Sequence, residues 1–122
     1  MKKHSLPDSF KYAFSGIAET IKNERSFKIH VCAAILALGL SIFLRISAIE
    51  FICILISITM VLSAEIINTA IESVVDLFAG EQFHPLAKAA KDAAAGAVLL
   101  TSVNAVAVGI AVFLRRLLAY FF

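Results

Sequence analysis

Three long apolar runs leave this chain few folds. The first, "FKIHVCAAILALGLSIFL" at 27–44, carries one charge, Lys28, near its start. The second begins at Ile49, stays apolar to Ala64 and continues in one helical pattern to Ala79. The third, "AAAGAVLLTSVNAVAVGIAVFL" at 93–114, ends in Arg115 and Arg116. A bilayer span needs roughly 17–25 predominantly apolar residues, and each run is long enough. Hydrocarbon offers no water to backbone polar groups, so each span must satisfy its own as a helix. Composition agrees: 61% of the 122 residues are hydrophobic, against ~45–50% in a soluble domain. Mean hydropathy is +0.92. The expected fold is an all-α membrane protein, with one domain over 1–122.

Ahead of the first span, "SFKYAFSGIAETIKNE" repeats apolar residues at helical spacing: Phe10, Ala13, Phe14, Ile17 and Ile21. This pattern predicts an amphipathic helix over 8–25, capped by Asp8 or Ser9 and lying on the membrane surface. The stretch "HSLPDSFKYAFSG" is not the apolar core of a signal peptide. The second span is expected to extend past the bilayer over 49–79. A polar loop is expected over 80–92, with Gly80 as helix stop and Pro85 as turn residue.

Three spans put the two termini on opposite sides. One side collects Lys2, Lys3, Lys11, Lys22, Arg25, Lys28, Lys88 and Lys91; the other has Arg45, Arg115 and Arg116. The positive-inside rule makes the first side cytoplasmic. A formal net charge of +2 and the lack of a basic stripe argue against nucleic acid. Cys32 and Cys53 each sit in an apolar run. They read as small buried hydrophobes with free thiols. Ala89, Ala93, Gly96, Ala97 and Gly109 would let helices of a membrane bundle approach closely.

The stretch "VLSAEIINTAIESVVDLF" at 61–78 breaks the apolar rule. At ~100° per residue, Glu65, Asn68, Glu72 and Asp76 share an arc of about 80° on one helix. Thr69 lies beside them. Counting about 20 residues from Ile49 puts the edge of the hydrocarbon near Asn68. Glu65 is then just inside it, Glu72 about 10 Å and Asp76 about 16 Å further along the axis. A carboxylate within a span costs on the order of 2–3 kcal/mol. Three in a row require counter-ions, protons or metals. The gradient suits a lipid alcohol at the deep end and a metal-bound nucleotide at the shallow end, since phosphoryl transfer asks mainly for positioning, charge neutralisation and a base. Glu24, Lys91 and Asp92 approach the same face from the ends of other helices. Two other readings compete: an oligomeric ion carrier or channel with Glu65 as its intramembrane site, and an assembly module in which the stripe holds subunits together. The apolar half "FICILISIT" gives an ion no polar path.

The run "EIINTAIESVVD", with "AKD" about fifteen residues later and "NER" ahead of the first span, resembles the small bacterial integral-membrane kinases. Diacylglycerol kinase and undecaprenol kinase belong to that family. The resemblance covers nearly the whole chain. It implies a homotrimeric helical bundle in the cell membrane, with ATP and Mg²⁺ as cofactors. Active sites would lie at the cytoplasmic interface, between neighbouring subunits. It implies Glu65 as catalytic base with Asn68 beside it, and Glu24 and Glu72 as metal ligands bridging to ATP. Tyr12, Asp76, Lys91 and Asp92 match nucleotide contacts, and Glu81 and His84 fall in a loop that contacts nucleotide in relatives. That loop is one residue longer here than in the diacylglycerol enzyme. An N-terminal arginine of the diacylglycerol branch has no match; Lys3, His4 or Lys11 would stand in for it. "NERSFKIH" is similar to the Gram-positive branch, in which His30 replaces a carboxylate. This implies undecaprenol as the lipid, with Asn23 and His30 joining Glu65 on the substrate side, and diacylglycerol as the alternative. No G-x-x-x-x-G-K-[ST] or glycine-rich phosphate loop occurs, so acidic residues and Lys91 would have to serve instead.

Overall fold

The computed structural model describes residues 5–122; Lys2, Lys3 and His4 lie outside the described residues. Among these residues the chain is all helix and turn. Helix α1 is Leu6–Asn23, α2 Arg25–Phe43, α3 Ala48–Ala79 and α4 Pro85–Gly109. A single π-helical stretch, Ile110–Leu114, carries α4 on into α5, Arg115–Phe121. Helices α2, α3 and the continuous run Pro85–Phe121 are each long and apolar enough to cross a membrane.

Helix α1 starts earlier than expected. The Ser5 hydroxyl accepts a hydrogen bond from the Asp8 backbone N–H at 3.3 Å, so Ser5 is the cap rather than Asp8 or Ser9. Pro7 then falls in the first turn, where a missing N–H breaks no helical bond. The helix ends at Asn23 because Glu24 is extended, with φ −106° and ψ 114°. That one residue separates the amphipathic helix from the first span. Phe10, Phe14, Ile17 and Ile21 on α1 are exposed, leaving an apolar face for the membrane surface.

Arg45, at φ 52°, closes the turn between α2 and α3 in the left-handed position that helix ends usually give to glycine. Ser47 and Glu50 form a reciprocal capping box at the start of α3. The 32 residues of α3 extend about 48 Å at 1.5 Å per residue. A hydrocarbon core is about 30 Å thick, so the final turns bearing Glu72 and Asp76 run beyond it. Gly80, at φ 60°, ends the helix.

The following connection is shorter than the expected 80–92 loop. His84 caps α4, its Nδ1 accepting from the Leu86 backbone N–H at 3.1 Å. Pro85 opens the helix rather than turning the chain, so Lys88, Lys91 and Asp92 are helical. At the opposite end, Glu50 pairs with Arg115 at 3.3 Å and with Arg116. Both arginines follow the π-helical stretch, whose extra residue per turn rotates the helix beyond it.

Helix α4 packs mainly on α3, α2 lies on α3, and α1 touches both α2 and α3. The buried apolar residues are few: Phe27, Leu44, Ile54, Val61, Ala94 and Val112. Most other large apolar side chains face outward. Surface of this kind meets lipid or another chain. Cys32 and Cys53 are exposed on the single chain, not buried as expected. Their apolar surroundings in sequence reflect the membrane rather than a core.

Candidate active site

Glu24, Phe27 and His30 succeed one another at three-residue intervals, which puts them on one face of α2 and its start. Phe27 is the most buried large side chain, 1% exposed. Its burial holds that face against the rest of the bundle. His30 then meets α3, where its Nε2 lies 3.1 Å from Oε1 of Glu65. Glu65 is itself buried, 5% exposed, while the His30 side chain keeps 30% of its surface. A buried polar group needs a hydrogen-bond partner, and the imidazole supplies one.

The rest of the stripe pairs off along α3. Asn68 Nδ2 donates to Glu72 Oε1 at 3.2 Å. Asn68 Oδ1 is buried without a hydrogen-bond partner. Thr69 turns its hydroxyl onto the Glu65 carbonyl at 3.0 Å and offers the stripe no free group. One turn beyond Glu72, Asp76 meets Lys91 of α4 at 2.5 Å. Lys88 meets Asp92 at 2.5 Å on the same helix. These last two pairs are solvent-exposed and add little stability. Lys91 precedes the apolar part of α4, and the hydrogen bond it donates to Asp76 pushes its pKa above the ordinary lysine value. Burial opposes that shift, and the charges of Asp76 and Glu72 add to it.

Two cavities lie towards the His30–Glu65 and Asp76–Lys91 pairs respectively. The first, about 370 Å³, is an apolar groove between α2, α3 and α4. Ala33, Ala34, Val61 and Val106 contribute to its walls, and His30, Ser57 and Ser102 are its polar members. The second, about 350 Å³, lies at the end of α3 and the start of α4. Asp76, His84, Lys88, Lys91 and Asp92 line it, together with Phe83. Residues expected on the nucleotide side from three separate stretches thus share one polar pocket. Glu81 is exposed in the neighbouring turn and does not line it. Tyr12 lies midway along α1 and is exposed. Asn23 ends α1, its amide donating to Glu19 at 2.9 Å. Glu24 occupies the break between α1 and α2 and makes no side-chain cap bond.

The donor set suits a hard cation. Glu24 and Glu72 offer only oxygen, and Asn68 engages one Glu72 oxygen, leaving the other available. Among the described residues no three His, Cys, Asp or Glu side chains form a complete metal site. Oxygen donors of this type are what Mg²⁺ takes beside phosphate and water.

The sequence profile of prokaryotic diacylglycerol kinase matches residues 11–113, a range that includes every residue of the stripe. The chain belongs to the prokaryotic diacylglycerol kinase family. With it, the chain is a membrane lipid kinase. An undecaprenol kinase of Bacillus subtilis is 45% identical over 109 residues, 89% of this chain and 88% of the relative. A diacylglycerol kinase of Synechocystis is 40% identical over 111 residues, covering 91% of this chain but 63% of the longer relative. The diacylglycerol kinase of Escherichia coli K12 is 35% identical over 95 residues, 78% of this chain and 77% of the relative.

Some residues that line these cavities were not singled out from sequence. Lys88 faces the polar pocket beside Lys91, three residues apart on one helix. The spacing was visible, but an expected loop to residue 92 hid its meaning. Ser57 and Ser102 in the groove carried no sequence signal, because isolated serines in apolar helices commonly bond their own backbone.

Proposed function

We propose that this kinase transfers the γ-phosphoryl group of ATP to undecaprenol, as a homotrimer in the cell membrane with its active sites on the cytoplasmic side. The observation that carries the reading is the buried Glu65 carboxylate, joined through His30 to an apolar groove and followed along α3 by Glu72, Asp76 and the Lys91 pocket. A lipid chain in the groove brings its alcohol to the His30–Glu65 end. Glu65 takes the hydroxyl proton as the alcohol oxygen attacks the γ-phosphorus and the bond to ADP breaks. Lys91 and Lys88 hold phosphate charge in the polar pocket, and His84 and Asp92 frame it. Tyr12 and Glu81 are assigned to the nucleotide, and Asn23 to the lipid head, by the family pattern. Mg²⁺, held by Glu24 and Glu72, would neutralise charge on the transferred group.

Undecaprenol is favoured by the undecaprenol kinase of Bacillus at 45% identity and by His30 in "NERSFKIH". Diacylglycerol is the alternative, supported by the names of the Synechocystis and E. coli relatives. The trimer is supported by a third cavity, about 750 Å³, between α3 and α4. Ala90, Ala93, Ala94 and Ala97 line it, with Asn68, and such small side chains let a neighbouring helix approach closely. The cytoplasmic placement follows the excess of lysine and arginine on that side.

The test compares both lipids at matched mole fraction in mixed micelles, with purified protein and Mg²⁺–ATP. A higher kcat/KM for undecaprenol is expected. A preference for diacylglycerol transfers the assignment to that lipid, and no turnover of either removes the kinase reading.

A further inference from the structure

We propose that His30 is a positioning residue for the reaction: its Nε2–H holds Oε1 of Glu65 and aims the other carboxylate oxygen at the alcohol. The inference rests on the reading of Glu65 as base, and it moves His30 from the lipid to the base. A carboxylate takes a proton from an alcohol efficiently only when one of its oxygens is held facing that hydroxyl. Glu65 is 5% exposed, so a protein partner rather than bulk water fixes its orientation.

Its surroundings on each packed element are specific. On α3, Asn68 is committed to Glu72 and Thr69 to the Glu65 backbone carbonyl. On α4, the groove residues Ser102, Ala105 and Val106 carry no charge and do not titrate. On α1, buried Thr20 donates to the Gly16 carbonyl at 2.8 Å. On α2, His30 meets Oε1 at 3.1 Å; Lys28 is exposed and Glu24 lies at the helix start. The imidazole is the recorded side-chain partner of the Glu65 carboxylate among the described residues. By occupying Oε1 it leaves Oε2 for the hydroxyl. When the alcohol oxygen bonds to the γ-phosphorus and the bond to ADP breaks, the proton passes to Oε2 and leaves to water with the departing product.

A purely structural His30, snorkelling at the interface, would affect folding without affecting kcat per folded protein. The two roles separate in His30→Leu and His30→Gln, assayed for lipid phosphorylation beside wild type. His30→Leu is expected to lose roughly tenfold or more in kcat, within the usual worth of acid–base assistance, with the KM for ATP little changed. His30→Gln, which keeps an N–H donor, should recover much of the rate. Equal kcat in His30→Leu and wild type, or His30→Gln no better than His30→Leu, overturns the proposal. Nitrogen NMR shifts of the His30 imidazole in wild type against Glu65→Gln test the pair without turnover and without His30 variants that may not fold. A change at Nε2 is expected, and an unchanged Nε2 signal overturns the inference. A wild type that keeps this contact but phosphorylates neither lipid would instead overturn the reading of Glu65 as base on which the role in catalysis depends.

Discussion

Phe27→Ala removes the one large side chain among the described residues that the bundle encloses completely, at 1% exposure. In a membrane the lipid is as apolar as the core, so transfer from water contributes little and lost packing dominates. A buried side chain of this size makes tens of contacts of about 0.1–0.2 kcal/mol each. Phe→Ala in a close-packed interior costs roughly 3–5 kcal/mol; the lower end, about 3 kcal/mol, suits a bundle with open grooves that can partly collapse. That corresponds to about a hundredfold shift in the folded ratio. The consequence reaches the site, because Phe27 shares a face with Glu24 and His30. Unfolding by SDS in mixed micelles measures the shift, with Phe10→Ala as control at 59% exposure. Phe27→Ala should unfold at clearly lower SDS fraction, and its folded fraction should show reduced kcat. Indistinguishable midpoints for the two variants would refute the claim that Phe27 anchors the α1–α2 joint.

Other perturbations address separate parts of the account. Lys91→Met should raise the KM for ATP about tenfold or more, as expected when a charge-assisted phosphate contact is lost, measured at saturating lipid. Because Asp76 pushes the Lys91 pKa above the ordinary value of 10.5, the ammonium is present at neutral pH. Its contribution to the folded state is lost only as pH rises through that raised value. Glu72→Ala should shift the Mg²⁺ titration of activity to higher concentration; an unchanged titration would remove the ligand role. Glu50→Gln, at the far end of α3, should lower thermal stability by weakening the Arg115 and Arg116 contacts while leaving kcat per folded protein unchanged.

The helical membrane fold was legible because nothing else satisfies the backbone of three such apolar runs. The polar arc was legible because helical periodicity alone aligns Glu65, Asn68, Glu72 and Asp76. Helix ends were read less well. Asp8 and Ser9 looked like caps, but Ser5 reaches the Asp8 N–H first, and Pro7 prefers the first turn to the position before it. Pro85 looked like a loop residue, yet proline also opens helices, and His84 supplies a cap that composition does not mark. That misplacement concealed Lys88. The partner of Glu65 came from a different helix, so periodicity had no access to it; the structure pairs it with His30 on α2. The exposure of Cys32 and Cys53 shows the same limit, because apolar sequence around a thiol cannot distinguish core from lipid.

Glu65→Gln in the otherwise unchanged protein most directly tests the central claim. Gln keeps the size and a hydrogen-bonding oxygen but accepts no proton. Measured with undecaprenol and Mg²⁺–ATP in micelles, kcat should fall roughly hundredfold or more, while ATP binding and the oligomer persist. Turnover close to wild type in that variant would contradict the account.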